Sequence, residues 1–124
     1  MKSIQYLVIS LVVMLATLDG NSQTKSSKWQ TDTIKVSSQC GMCKDRIEEN
    51  LAFEKGVKKS DVDLENGVLV ITYNIKKTEL ETIRKAISKM GYDADDVVAN
   101  KKAYSKLPGC CKKPDDPDHE SHIE

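Results

Sequence analysis

The sequence predicts an α+β sandwich of order β-α-β-β-α-β, with two helices on one face of a four-stranded antiparallel sheet. Three observations lead there. Thr33-Ile34-Lys35-Val36-Ser37 alternates and is β-branched, as a half-buried strand is. Glu65-Asn66-Gly67 separates two apolar runs, and Asn-Gly accepts the positive φ angles that a tight two-residue hairpin demands. Thr78-Glu79-Leu80-Glu81 reads as a capping box that opens a helix.

The elements follow in order. The first strand occupies Thr33 to Ser38. Apolar residues then recur from Cys43 at Ile47 and Leu51, with charges between them, which is one face of a helix ending near Phe53. Gly56 breaks it. Val57 to Leu64 is the second strand, with Val62 and Leu64 on one face. Val68 to Tyr73 is the third; it is apolar on both faces and therefore central. The second helix carries the stripe Leu80, Ile83, Ile87 and Met90, and Gly91 stops it. Asp93 to Ala99 offers a short fourth strand. This order is the ferredoxin-like arrangement, and residues 31–99 suffice for independent folding. With one Phe and one Trp in the chain, the core falls to Val, Ile and Leu.

The flanks read differently. Lys2 precedes the apolar run Ile4 to Ala16, and residues 1–22 read as a signal peptide cleaved before Gln23. The run is short of the roughly 20 residues a membrane span needs, although an uncleaved anchor is the alternative. The mature chain is therefore expected to be periplasmic or secreted and not embedded in a membrane. Residues 23–30 form a polar linker, with Trp29 a packing residue at the domain edge. Residues 100–111 are an extension whose first part, Asn100 to Leu107, forms a short helix or turn. Pro108-Gly109 then precedes Cys110-Cys111. Residues 112–124 are polar and acidic, and are expected to be disordered.

Composition excludes several functions. Nineteen basic and nineteen acidic residues cancel. No basic stripe with interleaved aromatics supports nucleic-acid binding. No catalytic constellation or small-molecule site is apparent, so the chain reads as a non-enzyme. Glu48, Glu49, Asp95 and Asp96 read as solvated faces. His119 and His122 stand in the tail, either solvated or weak ligands for Cu(II) or Zn(II).

The chemistry gathers at Cys40-Gly41-Met42-Cys43, between the first strand and the first helix. Thiolates are soft ligands that select Cu(I), Zn(II) and similar ions. Cys43 at the helix N-terminus feels the positive end of the helix dipole. Cys40, in the loop, is the more exposed thiol and the first contact in ligand exchange. The same pair can be a redox dithiol. A third reading is a Zn(II)-stabilised domain using all four cysteines. Cys110 and Cys111 are too close for an unstrained disulfide, which leaves free thiols or metal ligands. If residues 100–107 fold back, the pair reaches the Cys40 loop, there to supply a third ligand, to cap the site or to form disulfides with it. Otherwise it is an exposed reactive pair.

From Thr31 to Ala99 the chain resembles the heavy-metal-associated domain of copper chaperones, copper ATPase N-terminal modules and periplasmic mercury-binding proteins. Cys40 and Cys43 match that family's two ligand cysteines. Gly56-Val57, Val62-Asp63-Leu64-Glu65-Asn66-Gly67 and Gly91-Tyr92-Asp93 also look like the family's segments. One departure is Ser38, where the family carries a Met that packs beneath the loop; Met42 is the residue nearest to replacing that packing. The resemblance implies a metallochaperone or scavenger for Cu(I), with Hg(II), Zn(II) and Cd(II) open. It implies a metal-transporting ATPase or another metal acceptor protein as partner. Tyr92 is expected to face the metal loop, with a packed edge residue as the alternative; Lys44 stands either beside the site or, the favoured reading, as a solvated helix residue, and Lys44 and Arg46 are expected to belong to the docking surface.

Overall fold

The computed structural model describes residues 27–119. The signal-peptide expectation and His122 lie outside the described residues. Strand β1 (Trp29–Lys35) is followed by helix α1 (Gly41–Ala52), strands β2 (Val57–Asp63) and β3 (Val68–Asn74), helix α2 (Leu80–Met90), helix α3 (Lys101–Ser105) and a 3-10 turn (Gly109–Cys111). The sheet order is β1-β3-β2, antiparallel throughout, so β3 is central as its apolar run predicts.

Register places the core. Ile34 and Val62 both pair with Leu69, one from each side, and all three are buried. That row, with Ile71, meets Ile47 and Leu51 of α1 and Ile83 and Ile87 of α2. Burying each such side chain is worth roughly 1.5–3 kcal/mol. Val70 on the opposite face is 40% exposed, so the sheet is covered on one side only.

Several boundaries differ from expectation. Strand β1 begins at Trp29, inside the expected linker, because Trp29 pairs with Asn74 and Gln30 with Tyr73. Lys28 and Lys58 lie over the Trp29 ring at 5.8 and 5.1 Å. The hairpin loop is four residues, Leu64 to Gly67, because Asp63 still pairs with Val68. Its shape comes from the Asp63 carboxylate, which accepts from the Glu65 and Asn66 N–H groups; only Gly67 takes a positive φ, 65°. The Thr78 capping box does not form. Glu79 precedes the first turn of α2, and the Thr78 hydroxyl is buried without a partner. Phe53 is 91% exposed, so the one Phe adds nothing to the core.

The fourth strand is reduced to two isolated bridges. Ala94 pairs with Val36 at the free edge of β1, then with Val97, because the chain turns back at Asp95, whose φ is 52°. The Asp95 side chain replaces the missing ladder. It accepts from the Lys35 N–H at 2.8 Å and from Arg84 at 2.8 Å, while the Asp95 N–H donates to the Lys35 carbonyl. Asp95 is thus a structural carboxylate and not an idle surface charge. Glu48 is likewise committed, accepting from the Val62 N–H at 2.7 Å.

Residues 112–119, expected to be disordered, lie in turns against the domain. The Tyr104 hydroxyl donates to Asp116 and accepts from the Lys113 N–H. Lys112 is buried and paired with Asp118. Among the described residues, no helix is long and apolar enough to cross a membrane.

Candidate metal centre

The loop after β1 sets Cys40 at the N-terminus of α1. Cys40 is extended, with φ −149° and ψ 172°, and its carbonyl accepts from the Lys44 N–H at 3.1 Å to close the first turn. Cys43 follows inside that turn on the stripe of Ile47 and Leu51, and is fully buried. Three residues of one turn thus bring the sulfurs of Cys40 and Cys43 to 3.4 Å.

A second pair of thiols meets them. The Cys40 sulfur lies 3.5 Å from Cys110 and 3.9 Å from Cys111. The sulfurs of Cys40, Cys110 and Cys111 all lie within 4.8 Å of one another. All four cysteines are free thiols; Cys40 is partly exposed and the other three are buried.

The extension reaches the loop through a chain of contacts. Asn100 caps α3 by accepting the Ala103 N–H on its side chain. Helix α3 packs directly on Gly91, where an added Cβ would stand 2.9 Å from the Tyr104 nitrogen. Leu107 is buried in the core. Asp93 joins three segments: its N–H donates to the Ser37 hydroxyl, its carboxylate accepts from the Ala99 N–H at 2.8 Å, and Lys113 pairs with it at 2.6 Å. The 3-10 turn is held by the Cys111 N–H on the Pro108 carbonyl. Gly91, Asp93 and Lys113 position the site, and sequence reasoning did not single them out for that. The signal available was Leu107, an apolar residue in an otherwise polar extension.

Electrostatics differ from thiol to thiol. Burial pushes the Cys40 thiol up, but the Cys43 N–H and the neighbouring thiols outweigh it, leaving Cys40 below the usual thiol range. The hydrogen bond to Cys40, then burial, raises Cys110. Burial, then the hydrogen bond to Cys43, raises Cys111 well above that range. Cys40 is therefore the thiol that ionises first among these three, and an arriving cation meets it first.

Tyr92, expected to face the metal loop, lies beside Cys111 and Cys43. It is fully buried, and its hydroxyl makes no hydrogen bond in the thiol form. Burial, then the adjacent Cys111 and Cys43, pushes the phenol far above its ordinary value. Lys44 does not stand there. Its ammonium turns to β2, pairing with Asp61 at 2.7 Å and Glu48 at 3.1 Å and donating to the Val62 carbonyl. Arg46 faces another side of α1, lining a groove with Lys85, Lys89 and Lys106, so Lys44 and Arg46 do not share one surface. Met42 is 52% exposed and fills nothing beneath the loop. Ser38 is buried, with an unpartnered hydroxyl. The His119 imidazole donates from Nδ1 to the Lys112 carbonyl at 2.8 Å.

The arrangement gathers three soft sulfur donors, those of Cys40, Cys110 and Cys111, with Cys43 beside Cys40, which suits Cu(I), Zn(II) or a related soft ion. Residues 33–93 match the heavy-metal-associated domain. Over 54 residues the chain is 39% identical to the copper chaperone CopZ of Staphylococcus aureus strain JH9, covering 44% of this chain and 79% of that protein. It is similar in structure to oxidized MerP from Ralstonia metallidurans CH34, with TM-score 0.52 and 29% identity, over 54% of this chain and 94% of that one. It is also similar to the water-soluble region of the P-type ATPase CopA from Bacillus subtilis, with TM-score 0.52 and 29% identity, over 55% of this chain and 46% of that one.

Proposed function

The chain belongs to the heavy-metal-associated domain family, and on that premise we propose that it binds a soft metal ion, Cu(I) first, through Cys40 and Cys43 and carries it as a metallochaperone or scavenger. One observation carries the reading: the two sulfurs stand 3.4 Å apart, one at the N-terminus of α1 and one inside its first turn. Two thiolates so placed need only a small adjustment to grip one ion, and binding releases their protons to solvent. The copper chaperone CopZ among the relatives supports copper as cargo. The resemblance to mercury-binding proteins keeps Hg(II) open, and the sulfur donors keep Zn(II) and Cd(II) open.

The likeness to the water-soluble region of the P-type ATPase CopA supports a metal-transporting ATPase as acceptor. The apolar run at Ile4 to Ala16 supports an exported location. There the thiols must be reduced or metal-loaded to work.

The test is anaerobic titration of the reduced chain with Cu(I) against a chromophoric chelator, beside the Cys40→Ser/Cys43→Ser variant. Loss of tight binding in the variant is expected. Undiminished binding would sink the reading. Reduction of insulin disulfides by a chain that binds no metal would favour the thiol-disulfide alternative.

A further inference from the structure

We infer that Cys110 and Cys111 are ligands of the same ion, so that the C-terminal extension closes the Cys40–Cys43 loop into a three- or four-sulfur site; the inference rests on the function proposed above. Thiolates about 2.3 Å from one ion lie roughly 3.8 Å apart in a tetrahedral set and roughly 4.0 Å apart in a trigonal one. The Cys40 sulfur is 3.4, 3.5 and 3.9 Å from those of Cys43, Cys110 and Cys111. Cys40, Cys110 and Cys111 therefore stand near ligand spacing before any ion arrives, and Cys43 joins them through Cys40.

The extension is anchored on the domain, not draped over it. Helix α3 seats on the backbone of Gly91, Leu107 enters the core, and Lys113 pairs with Asp93, whose own N–H is tied to Ser37 three residues before Cys40. The strap and the metal loop are thus clamped to the same residue. Adjacent cysteines chelate one ion with difficulty from an extended chain. Here they sit in a 3-10 turn, and both sulfurs come within reach of Cys40.

Tyr92 supplies an independent sign. Its buried hydroxyl makes no hydrogen bond of full geometry, a condition that costs free energy, and the groups it has beside it are the thiols of Cys111 and Cys43. A neutral thiol accepts a hydrogen bond poorly. A metal-bound thiolate accepts one well, because the bond is charge-assisted. The unpaired donor is explained if Cys111 and Cys43 are thiolates in the working state.

Enclosure then regulates exchange. Cys43, Cys110 and Cys111 are 0%, 7% and 1% exposed, so an incoming ligand reaches the ion through Cys40 alone. Three or four thiolates hold the ion more tightly than two. An acceptor must first displace the strap from Cys40. The chain is therefore a retaining carrier whose release is gated by its own extension.

The experiment uses the reduced full chain, one equivalent of Cu(I), and no oxygen. X-ray absorption should count three or more sulfur neighbours, and Cys110→Ser/Cys111→Ser should show two. That variant should lose at least about tenfold in Cu(I) affinity, the low end of what supporting groups alone cost, and should yield Cu(I) to a chelator faster. Two sulfur neighbours in the unaltered chain would overturn the inference, as would equal affinity in a folded variant. The absorption count needs no variant, so misfolding cannot obscure it. Failure here with Cys40→Ser/Cys43→Ser still abolishing binding leaves the proposed function standing. Full binding in Cys40→Ser/Cys43→Ser removes both.

Discussion

The sulfurs of Cys40 and Cys110 lie 3.5 Å apart although 70 positions separate them in the chain. A contact of that range exists only if the extension has one way to return. Gly91 provides it. The residue ends α2 in a left-handed conformation, with φ 102°, and presents bare backbone to Ala103 and Tyr104. The same glycine stops a helix and seats the strap that bears the second thiol pair.

Gly91→Ala should therefore damage two things together. Alanine at that φ costs about 1–3 kcal/mol. Its Cβ would also stand 2.9 Å from the Tyr104 nitrogen and 3.0 Å from the Ala103 carbonyl carbon, so α3 must move. Urea denaturation should show a lower midpoint, and Cu(I) retention should fall toward that of Cys110→Ser/Cys111→Ser. Loss of stability with unchanged retention would mean that the strap docks without Gly91.

Legibility in the sequence followed the range of the forces involved. Alternation in Thr33–Ser37 and the four-residue recurrence from Cys43 to Leu51 predicted β1 and α1, because one buried face imposes its period locally. The fourth strand was misread because Asp95 takes φ 52° and lends its carboxylate to Lys35, a side-chain substitute for a ladder that no period reveals. The meeting of Cys40 and Cys43 at the head of α1 was legible from their spacing. The approach of Cys110 and Cys111 was open, because it depends on backbone packing at Gly91 and on the Asp93–Lys113 pair. Lys44 was misplaced for a related reason. Its nearest neighbours in sequence are the cysteine loop, but its partner Asp61 comes from β2.

Tyr92→Phe should separate the metal-free and metal-bound states. In the thiol form the hydroxyl has no partner, so its removal should leave the melting temperature of the metal-free chain unchanged or slightly higher. In the metal form it should remove a hydrogen bond to thiolate, and Cu(I) affinity should fall by several-fold. A variant with undiminished affinity would make Tyr92 a packing residue only.

Lys44→Met should leave Cu(I) affinity within about twofold, since a charge held by Asp61 and Glu48 faces away from the thiols and an exposed pair is worth little. A large loss in the same chelator competition would contradict the orientation seen here.

Tyr73 sets a limit at alkaline pH far from the thiols. Its hydroxyl donates to Asp32 at 2.7 Å, across from β3 to β1. Burial, then the hydrogen bond and charge of Asp32, pushes the phenol up to about 12. In the unfolded chain it titrates near ~10. The folded state therefore holds this proton longer, and its contribution to stability is complete below pH ~10 and declines as pH rises toward ~12. Asp32→Asn removes the charge that opposes the phenolate, so Tyr73 should ionise earlier by ultraviolet absorbance, and the decline, which still begins near pH ~10, should end at lower pH and be smaller. Tyr73→Phe should flatten the fall in stability between pH ~10 and ~12, because it deletes the group whose proton is held. An unchanged slope in Tyr73→Phe would assign the alkaline loss to other groups, of which the buried Tyr92 phenol is the nearest candidate.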